Sequence, residues 1–349
     1  MPGLTQGRPP VMADVARLAG VSAQTVSRVL NDHPNVSARA RGKVMAAISE
    51  LGYRPNSAAR TLVTRRTRTL GVVSFDTTLY GPASMLHGIE RAAAGTYFVS
   101  IASLPALDRA SVVGAADRLL EQGVDGIIVV APMKQVVDAC AAIRGVPLVG
   151  VGCGGSAPFA SVAVDNAAGA ALATRYLLGL GHPTVHHVAG PRTWLDAQER
   201  IAGWSAALRE AGAAEPGLVA GDWSSASGYR IGQRIAADPE VTAVLCGNDH
   251  MALGLLRALA EHGRRVPDDI SVVGFDDIPE SGYFLPPLTT VRQDFGALGR
   301  HAVGVLMSVI DGQPAPGTCL RVPPQLVDRA STAGPRAAAA RRPGPGDGA

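Results

Sequence analysis

Apolar and polar positions change rhythm once along this chain. From Met12 to about Tyr53, three short stretches repeat apolar residues at helical spacing, whereas from Leu70 onward continuous apolar runs alternate with amphipathic stretches. The runs Leu70–Ser74, Gly126–Val130, Pro147–Val151, Val185–Ala189, Ala243–Cys246 and Ile270–Phe275 predict buried strands. Between them, residues 85–94, 110–122, 169–180, 199–211, 227–237, 250–262 and 295–310 predict helices. Strands without a polar face, separated by amphipathic helices, imply parallel sheets covered on both sides. About 260 residues of this pattern predict an α/β core of two doubly wound parallel-sheet subdomains, with a ligand between them at the carboxyl ends of the strands.

The first segment reads as two helices around a tight turn at Gly20. Ala16 is small where the helices cross, Val21 and Val26 fill the interface, and Ser22 can cap the second helix. The exposed face of that helix then carries Ala23, Gln24, Ser27 and Arg28. Gln24 and Arg28 can make bidentate contacts to base edges in a major groove, while Thr25 and Asn31 suit phosphate. Val36-Ser37 opens a third helix that runs to about Leu51, and Gly52-Tyr53-Arg54-Pro55-Asn56 ends it.

Charge sharpens this division. Up to Leu70, eleven Arg and Lys stand against three acids, a net of +8, which leaves −5 for the rest of a chain whose total is +3. A basic head on a mildly acidic body suits a polyanion-binding module joined to a regulatory one. With 47% hydrophobic and 17% charged residues, most of the chain is expected to be globular. The four cysteines, Cys140, Cys153, Cys246 and Cys319, have no CxxC spacing and no histidine cluster beside them, and read as free thiols in a reducing compartment. The start, MPGLTQGRPP, lacks the charged and apolar regions of a secretory signal, and no run of about 18 apolar residues follows, so a cytoplasmic location is expected.

The string Asp14-Val-Ala-Arg-Leu-Ala-Gly-Val-Ser-Ala-Gln-Thr-Val-Ser-Arg-Val-Leu-Asn31, followed by Val36-Ser37 and Leu51-Gly-Tyr-Arg-Pro-Asn56, resembles the lactose repressor (LacI) family, whose heads carry D-V-A-x-x-A-G-V-S-x-x-T-V-S-R-V-L-N, then V-S, then L-G-Y-x-P-N. The resemblance extends from about Met12 to Thr332. It implies a three-helix helix-turn-helix head over 11–55, a hinge helix and linker over 56–66, and a periplasmic-binding-protein-like core over 68–332. Within the core, an N-subdomain would take about 68–164 and 293–322, and a C-subdomain about 165–292 and 323–332. Residues 1–10 and the low-complexity stretch 333–349 are expected to be disordered.

In this family the hinge helix orders on operator DNA and, paired in the dimer, pushes leucines into the minor groove. The resemblance gives that place to Leu62, with Ala59 as the small contact beside it and Asn56 at the start. Such a wedge kinks the duplex at a cost of roughly a few kcal/mol, which wider contact must offset. Arg65, Arg66 and Arg68 either add phosphate attraction or are solvated linker charges. The DNA-binding set is therefore Ser22, Ala23, Gln24, Thr25, Ser27, Arg28, Asn31, Asn56, Ala59 and Leu62, and the implied partner is palindromic double-stranded operator DNA.

A sugar site needs polar side chains that reach hydroxyls and a flat apolar surface for the ring. Arg200, Trp223, Asn248, Asp276 and Gln293 each lie just after a predicted strand or open a helix, where doubly wound folds hold ligands. With aromatics at 4% of the chain, Trp223 in a polar Gly-Asp-Trp-Ser-Ser loop is poorly explained by core packing and suits stacking on a pyranose. Trp204 reads as core, and Asp249 and Asp277 as helix caps or turn formers. The resemblance makes Arg200, Asn248 and Asp276 hydrogen-bonding effector contacts. It adds Leu79 and Pro82 as apolar ones, with Ser74 and Asp76 as alternatives, and Asp196 and Phe295 complete the set. The strings around Trp223, Asn248 and Gln293 resemble the lactose-responsive branch more than purine- or ribose-sensing members, implying a galactoside or another disaccharide-sized effector. Gly152 departs from that branch, which has an acidic residue there. Its leucine heptad tail is also replaced after Leu326 by Gly, Pro, Ala and Arg, implying a homodimer and no tetramer.

The implied function is a sugar-released repressor of carbohydrate-utilisation genes. Some relatives bind DNA only with their ligand, so a corepressor-type regulator is the alternative. A secreted transport-type sugar-binding protein would share the core fold, but the missing signal and the basic head argue against it. An enzyme is not expected. His182, His186 and His187 read as packed or solvated strand residues, and no nucleophile elbow, P-loop or metal-ligand spacing is present, so no catalytic residue, metal or cofactor is implied.

Overall fold

The computed structural model describes residues 9–30, 33–53, 66–154, 157–314 and 319–336. Two compact units divide at Thr67 and Arg68.

The first unit is a helical head of α1 (Met12–Ala19), α2 (Ala23–Leu30) and α3 (Ala38–Leu51). Gly20 ends α1 in the left-handed region, at φ 65° and ψ 39°, where a side chain would be strained. That conformation lets the Val21 amide donate back to the Ala16 carbonyl at 3.0 Å, which sets the turn into α2. Ser22 accepts the Thr25 amide at 3.2 Å and Ser37 accepts the Ala40 amide at 3.3 Å, so each following helix starts on a hydroxyl cap. Val15, Val26 and Val44, all fully buried, form the centre of the small core beneath Tyr53.

The second unit contains two six-stranded sheets. Its elements are β1 (Thr69–Ser74), α4 (Tyr80–Ala93), β2 (Phe98–Ser103), α5 (Arg109–Glu121), β3 (Gly126–Val130), α6 (Lys134–Cys140), β4 (Leu148–Val151), β5 (Ser161–Val164), α7 (Asn166–Gly179), β6 (His186–Ala189), α8 (Leu195–Glu210), β7 (Val219–Ala220), α9 (Ser225–Ala237), β8 (Ala243–Cys246), α10 (Asp249–Glu261), β9 (Ser271–Asp276), β10 (Thr289–Arg292), α11 (Phe295–Ile310), β11 (Leu320–Val322) and β12 (Gln325–Val327). One sheet runs β11-β5-β4-β3-β1-β2 with every pairing parallel. The other runs β12-β10-β9-β8-β6-β7 and is parallel except for β12, an antiparallel edge. Each sheet reverses its order of winding once, between β1 and β3 and between β6 and β8, and such switch points open crevices at the carboxyl strand ends. The sheets are covered by apolar layers: Leu70, Ile128 and Val149 lie under α4 and α11 in the first, and Leu245, Val273 and Phe275 lie near Trp204 in the second.

Trp204 is core, as its sequence context indicates: it is 1% exposed and its indole N–H donates to the Val185 carbonyl at 2.8 Å. Residues 333–336, within the stretch whose composition suggests disorder, are held by hydrogen bonds. The Ala333 carbonyl accepts from Ser271 Oγ at 2.8 Å and from His182 Nε2 at 2.9 Å, and the Arg336 guanidinium reaches Asp269 at 3.1 Å. Ser271 and His182 supply backbone partners that no compositional reading of the tail could reveal.

Gly203 on α8 faces α7 so closely that a Cβ there would fall on the Ala167 carbonyl. A backbone atom cannot swing aside as a side chain can. Gly203→Ala is expected to cost about 1–3 kcal/mol or more, lowering the thermal midpoint by several degrees, because overpacking at a tight crossing forces the helices apart. Thermal unfolding followed by circular dichroism checks this; an unchanged midpoint would mean the crossing is loose.

Candidate functional site

The head presents a coherent outer surface. Ser22, Ala23, Gln24 and Arg28 are exposed, Thr25 and Ser27 are half-buried, and Val26 and Val29 face inward. Gln24 and Arg28 are four residues apart and so share one side of α2. The Thr25 hydroxyl lies 2.9 Å from that of Ser22, within the cap. Asn31, Asn56, Ala59 and Leu62 lie outside the described residues.

The core holds a cleft of about 300 Å³ between the carboxyl ends of the two sheets, within the range of small-molecule sites. Of the candidate effector residues, it brings together Leu79, Pro82, Asp196, Arg200, Trp223, Asn248, Asp276 and Gln293. Phe295 opens α11 and meets the ring of Tyr80, which lines the cleft, edge-on at 5.9 Å, so it stands directly behind the cleft wall. Ser74 and Asp76 do not line it either.

Arg200 organises the polar floor. Its side chain is 4% exposed, and its Nε donates to Asn166 Oδ1 at 2.9 Å while one terminal nitrogen donates to the Gly247 carbonyl and lies 3.7 Å from Asp276 Oδ1. The guanidinium is held between aromatic faces, 3.8 Å from the Phe275 ring centre and 5.4 Å from that of Trp223. Asp276, the last residue of β9, accepts Gln293 Nε2 at 2.6 Å. Burial pushes the Asp276 carboxyl up to about 6, against the opposing pull of Arg200 and the Gln293 hydrogen bond. Asp196, in the first turn of α8, accepts Asn166 Nδ2 at 3.0 Å, and burial likewise pushes it up to about 6 although Arg200 and Asn166 favour its charged form.

Trp223 combines two roles that its sequence context sets against each other. It lies in the cleft wall, yet it is only 7% exposed and packs in the apolar cluster of Val188 and Met251, with Trp194 edge-on at 5.7 Å. Among the described residues its indole N–H has no hydrogen-bond partner. Asn248 is similarly divided: its Oδ1 caps α10 by accepting the Met251 amide at 2.9 Å, and its Nδ2 donates to the Trp223 carbonyl at 3.0 Å. Asp249 is fully buried and accepts the Thr290 hydroxyl and the Ile278 amide, while Asp277 pairs with Arg292 and Arg329, each at 2.6 Å.

Tyr80, Met85, Trp194, Ser224 and His250 line the cleft without having been singled out in the sequence. All but Met85, in the second turn of α4, follow a strand or begin the next helix, so the rule that ligands collect at carboxyl strand ends applies to them too.

The raised Asp196 carboxyl has a consequence for stability. The folded protein holds this proton up to about pH 6, whereas an unfolded carboxyl releases it near 4, so its stabilising contribution is complete below about 4 and is lost as pH rises through 6. Asp196→Asn is therefore expected to gain about 1–3 kcal/mol in unfolding free energy at pH 8 and nothing at pH 4. Urea titration at the two pH values reads the difference; a loss of stability at pH 8 would contradict it. A carboxylate that costs stability while lining a cleft is characteristic of a binding group.

Comparison with known proteins agrees with this architecture. Residues 11–56 match the family "Bacterial regulatory proteins, lacI family", and residues 174–332 match "Periplasmic binding protein-like domain". The chain is 36% identical over 334 residues to the lactose operon repressor of Escherichia coli (strain K12), covering 94% of this chain and 92% of that protein. Among solved structures, the lac repressor dimer bound to operator and the anti-inducer ONPF shares 35% identity at a TM-score of 0.83, covering 93% of this chain and 100% of that one. The transcriptional regulator CelR in complex with cellobiose shares 31% identity at a TM-score of 0.69, covering 92% and 99%. At this identity and coverage, the chain belongs to the lacI family of bacterial regulatory proteins, and it joins a DNA-binding head to an effector-binding core as ligand-regulated repressors do.

Proposed function

We propose that this protein is an operator-binding repressor of carbohydrate-utilisation genes, acting as a homodimer and released by a sugar, a galactoside or another disaccharide-sized glycoside, bound in the cleft. The observation that carries the reading is the buried Arg200–Asp276–Gln293 network beside Trp223, which offers charged hydrogen-bonding groups and an aromatic wall together, as sugar recognition requires. In the head, Gln24 and Arg28 read bases, and Ser22, Thr25 and Ser27 position α2 on the phosphates. The lac repressor structure with operator is a dimer, which supports a two-fold palindrome as the target. Acting on chromosomal operators puts the protein in the cytoplasm, and its role is regulatory rather than catalytic.

The switch has two states. Sugar draws the two sheets together across the cleft, because its hydroxyls engage Asp196, Arg200 and Asp276 while its apolar face meets Leu79 and Pro82. The closed arrangement holds the N-subdomains of the dimer in positions that disfavour operator binding. A coupling of about 1–3 kcal/mol, or roughly 5- to 150-fold in affinity, is the usual size of such an effect. Selection of tight-binding duplexes from a random pool by the purified chain tests the DNA half: recovery of a two-fold palindrome supports it, and enrichment of no sequence overturns it.

A further inference from the structure

The charges lining the cleft do not balance. Among the described residues Arg200 is the only Arg or Lys on its surface, whereas Asp196 and Asp276 bring two carboxyls. The guanidinium is already committed, with its Nε on Asn166 Oδ1 at 2.9 Å and a terminal nitrogen on the Gly247 carbonyl, and that nitrogen stands 3.7 Å from Asp276 Oδ1. Among the described residues Asp196 makes no ion pair, and its hydrogen bond comes from the neutral Asn166 amide at 3.0 Å. Burial pushes both carboxyls up to about 6, and Arg200 offsets only part of that rise. The acids behind the cleft leave the count unchanged: Asp277 is matched by Arg292 and Arg329, and burial pushes Asp249 far enough up to favour its neutral form. Hydrogen-bonding capacity is lopsided in the same direction. Gln293 is 6% exposed, its amide nitrogen is spent on Asp276 at 2.6 Å, and its Oε1 has no partner among the described residues. The unmet demand around Asp196, Asp276 and Gln293 is for donors and for positive charge.

We propose that the cleft selects an amino sugar, a glycoside carrying a protonated amine, over its neutral counterpart, with the ammonium received by Asp196 and Asp276. This rests on the sugar-binding reading and narrows it. A hydroxyl can donate one hydrogen bond to a carboxylate but leaves the charge standing, and an uncompensated charge shut away from water is costly. An ammonium carries three donors and no acceptor, so it answers the deficit of donors and the deficit of positive charge together.

Titration calorimetry on the full-length protein at neutral pH, with ligands matched in their ring, tests this. For galactose and for glucose the ligands are the methyl β-glycoside, its 2-amino-2-deoxy and 6-amino-6-deoxy forms, and the N-acetyl derivative of each amine. In whichever series binds, one amine is expected to bind about tenfold or more tightly than the neutral parent. Its acetylation, which keeps the nitrogen and removes the charge, is expected to abolish the gain. A parent that binds as tightly as both amines, or an acetylated form that matches its amine, overturns the inference and leaves the sugar reading standing, whereas no binding in either series removes both. Asp196→Asn keeps an oxygen for Asn166 Nδ2 and removes the charge, so the amine-to-parent affinity ratio is expected to shrink about threefold or more. An unchanged ratio in the folded variant would show that Asp196 does not receive the ammonium.

Discussion

Asp276→Asn is expected to retain operator binding and lose sugar affinity on the order of 100-fold, because a charged hydrogen-bond acceptor contributes about 1.5–3 kcal/mol and tenfold in affinity corresponds to about 1.4. The substitution isolates charge from shape. Asn keeps the oxygen that accepts Gln293 Nε2, and it tolerates the φ of 114° at this strand end better than most side chains do. Folding does not suffer, since the raised carboxyl of the wild type contributes its stability below about pH 4 and loses it as pH rises through 6, where the amide has nothing to lose. The same titration predicts a pH profile for the wild type. Sugar affinity falls as pH drops through about 6, where Asp276 and Asp196 take up protons and stop acting as charged acceptors, and in Asp276→Asn the step is smaller because only the Asp196 part of it remains. Calorimetric titration between pH 5 and 8 on both proteins checks each part. Full sugar affinity in the variant would remove Asp276 from the site.

Combined Gln24→Ala and Arg28→Ala is expected to reduce the palindrome to near the level of random duplex. Each bidentate base contact discriminates by about 1–3 kcal/mol, and the two together approach the roughly 4–10 kcal/mol that separates specific from non-specific binding. Both side chains are exposed on α2 and alanine is a good helix former, so the fold is preserved and the sugar affinity of the core is unaffected. Residual affinity should remain strongly salt-dependent, because it comes from the basic surface rather than from bases. Fluorescence anisotropy with palindromic and random duplexes across a salt series separates these terms. Undiminished preference for the palindrome would mean that α2 is not the reading helix.

Much of this architecture is legible in the order of residues, for identifiable reasons. Strands buried on both faces, such as β3 and β8, are uninterrupted apolar runs, and helices such as α11 keep their period to the end. β2 escapes notice because it is a sheet edge: Phe98 is 77% exposed, and Ser100 and Ser103 interrupt its apolar run. β10 begins with Thr289 and Thr290, which are fully buried through hydrogen bonds to Thr332 and Asp249 formed by distant parts of the chain. The cleft divides in the same way. Polar residues at strand ends and helix starts, such as Asp276 and Asn248, announce themselves, while Tyr80, Trp194 and Met85 look like core until the two sheets face each other.

In the proposed switch, carbohydrate in the cleft and DNA on the head compete for the same conformational equilibrium. Operator affinity measured with and without saturating glycoside, alongside glycoside affinity measured with and without saturating operator, tests that coupling. The two ratios are expected to be equal and to exceed about fivefold, since linkage is reciprocal. Operator affinity that stays constant in the presence of a glycoside shown to occupy the cleft would contradict the proposed switch.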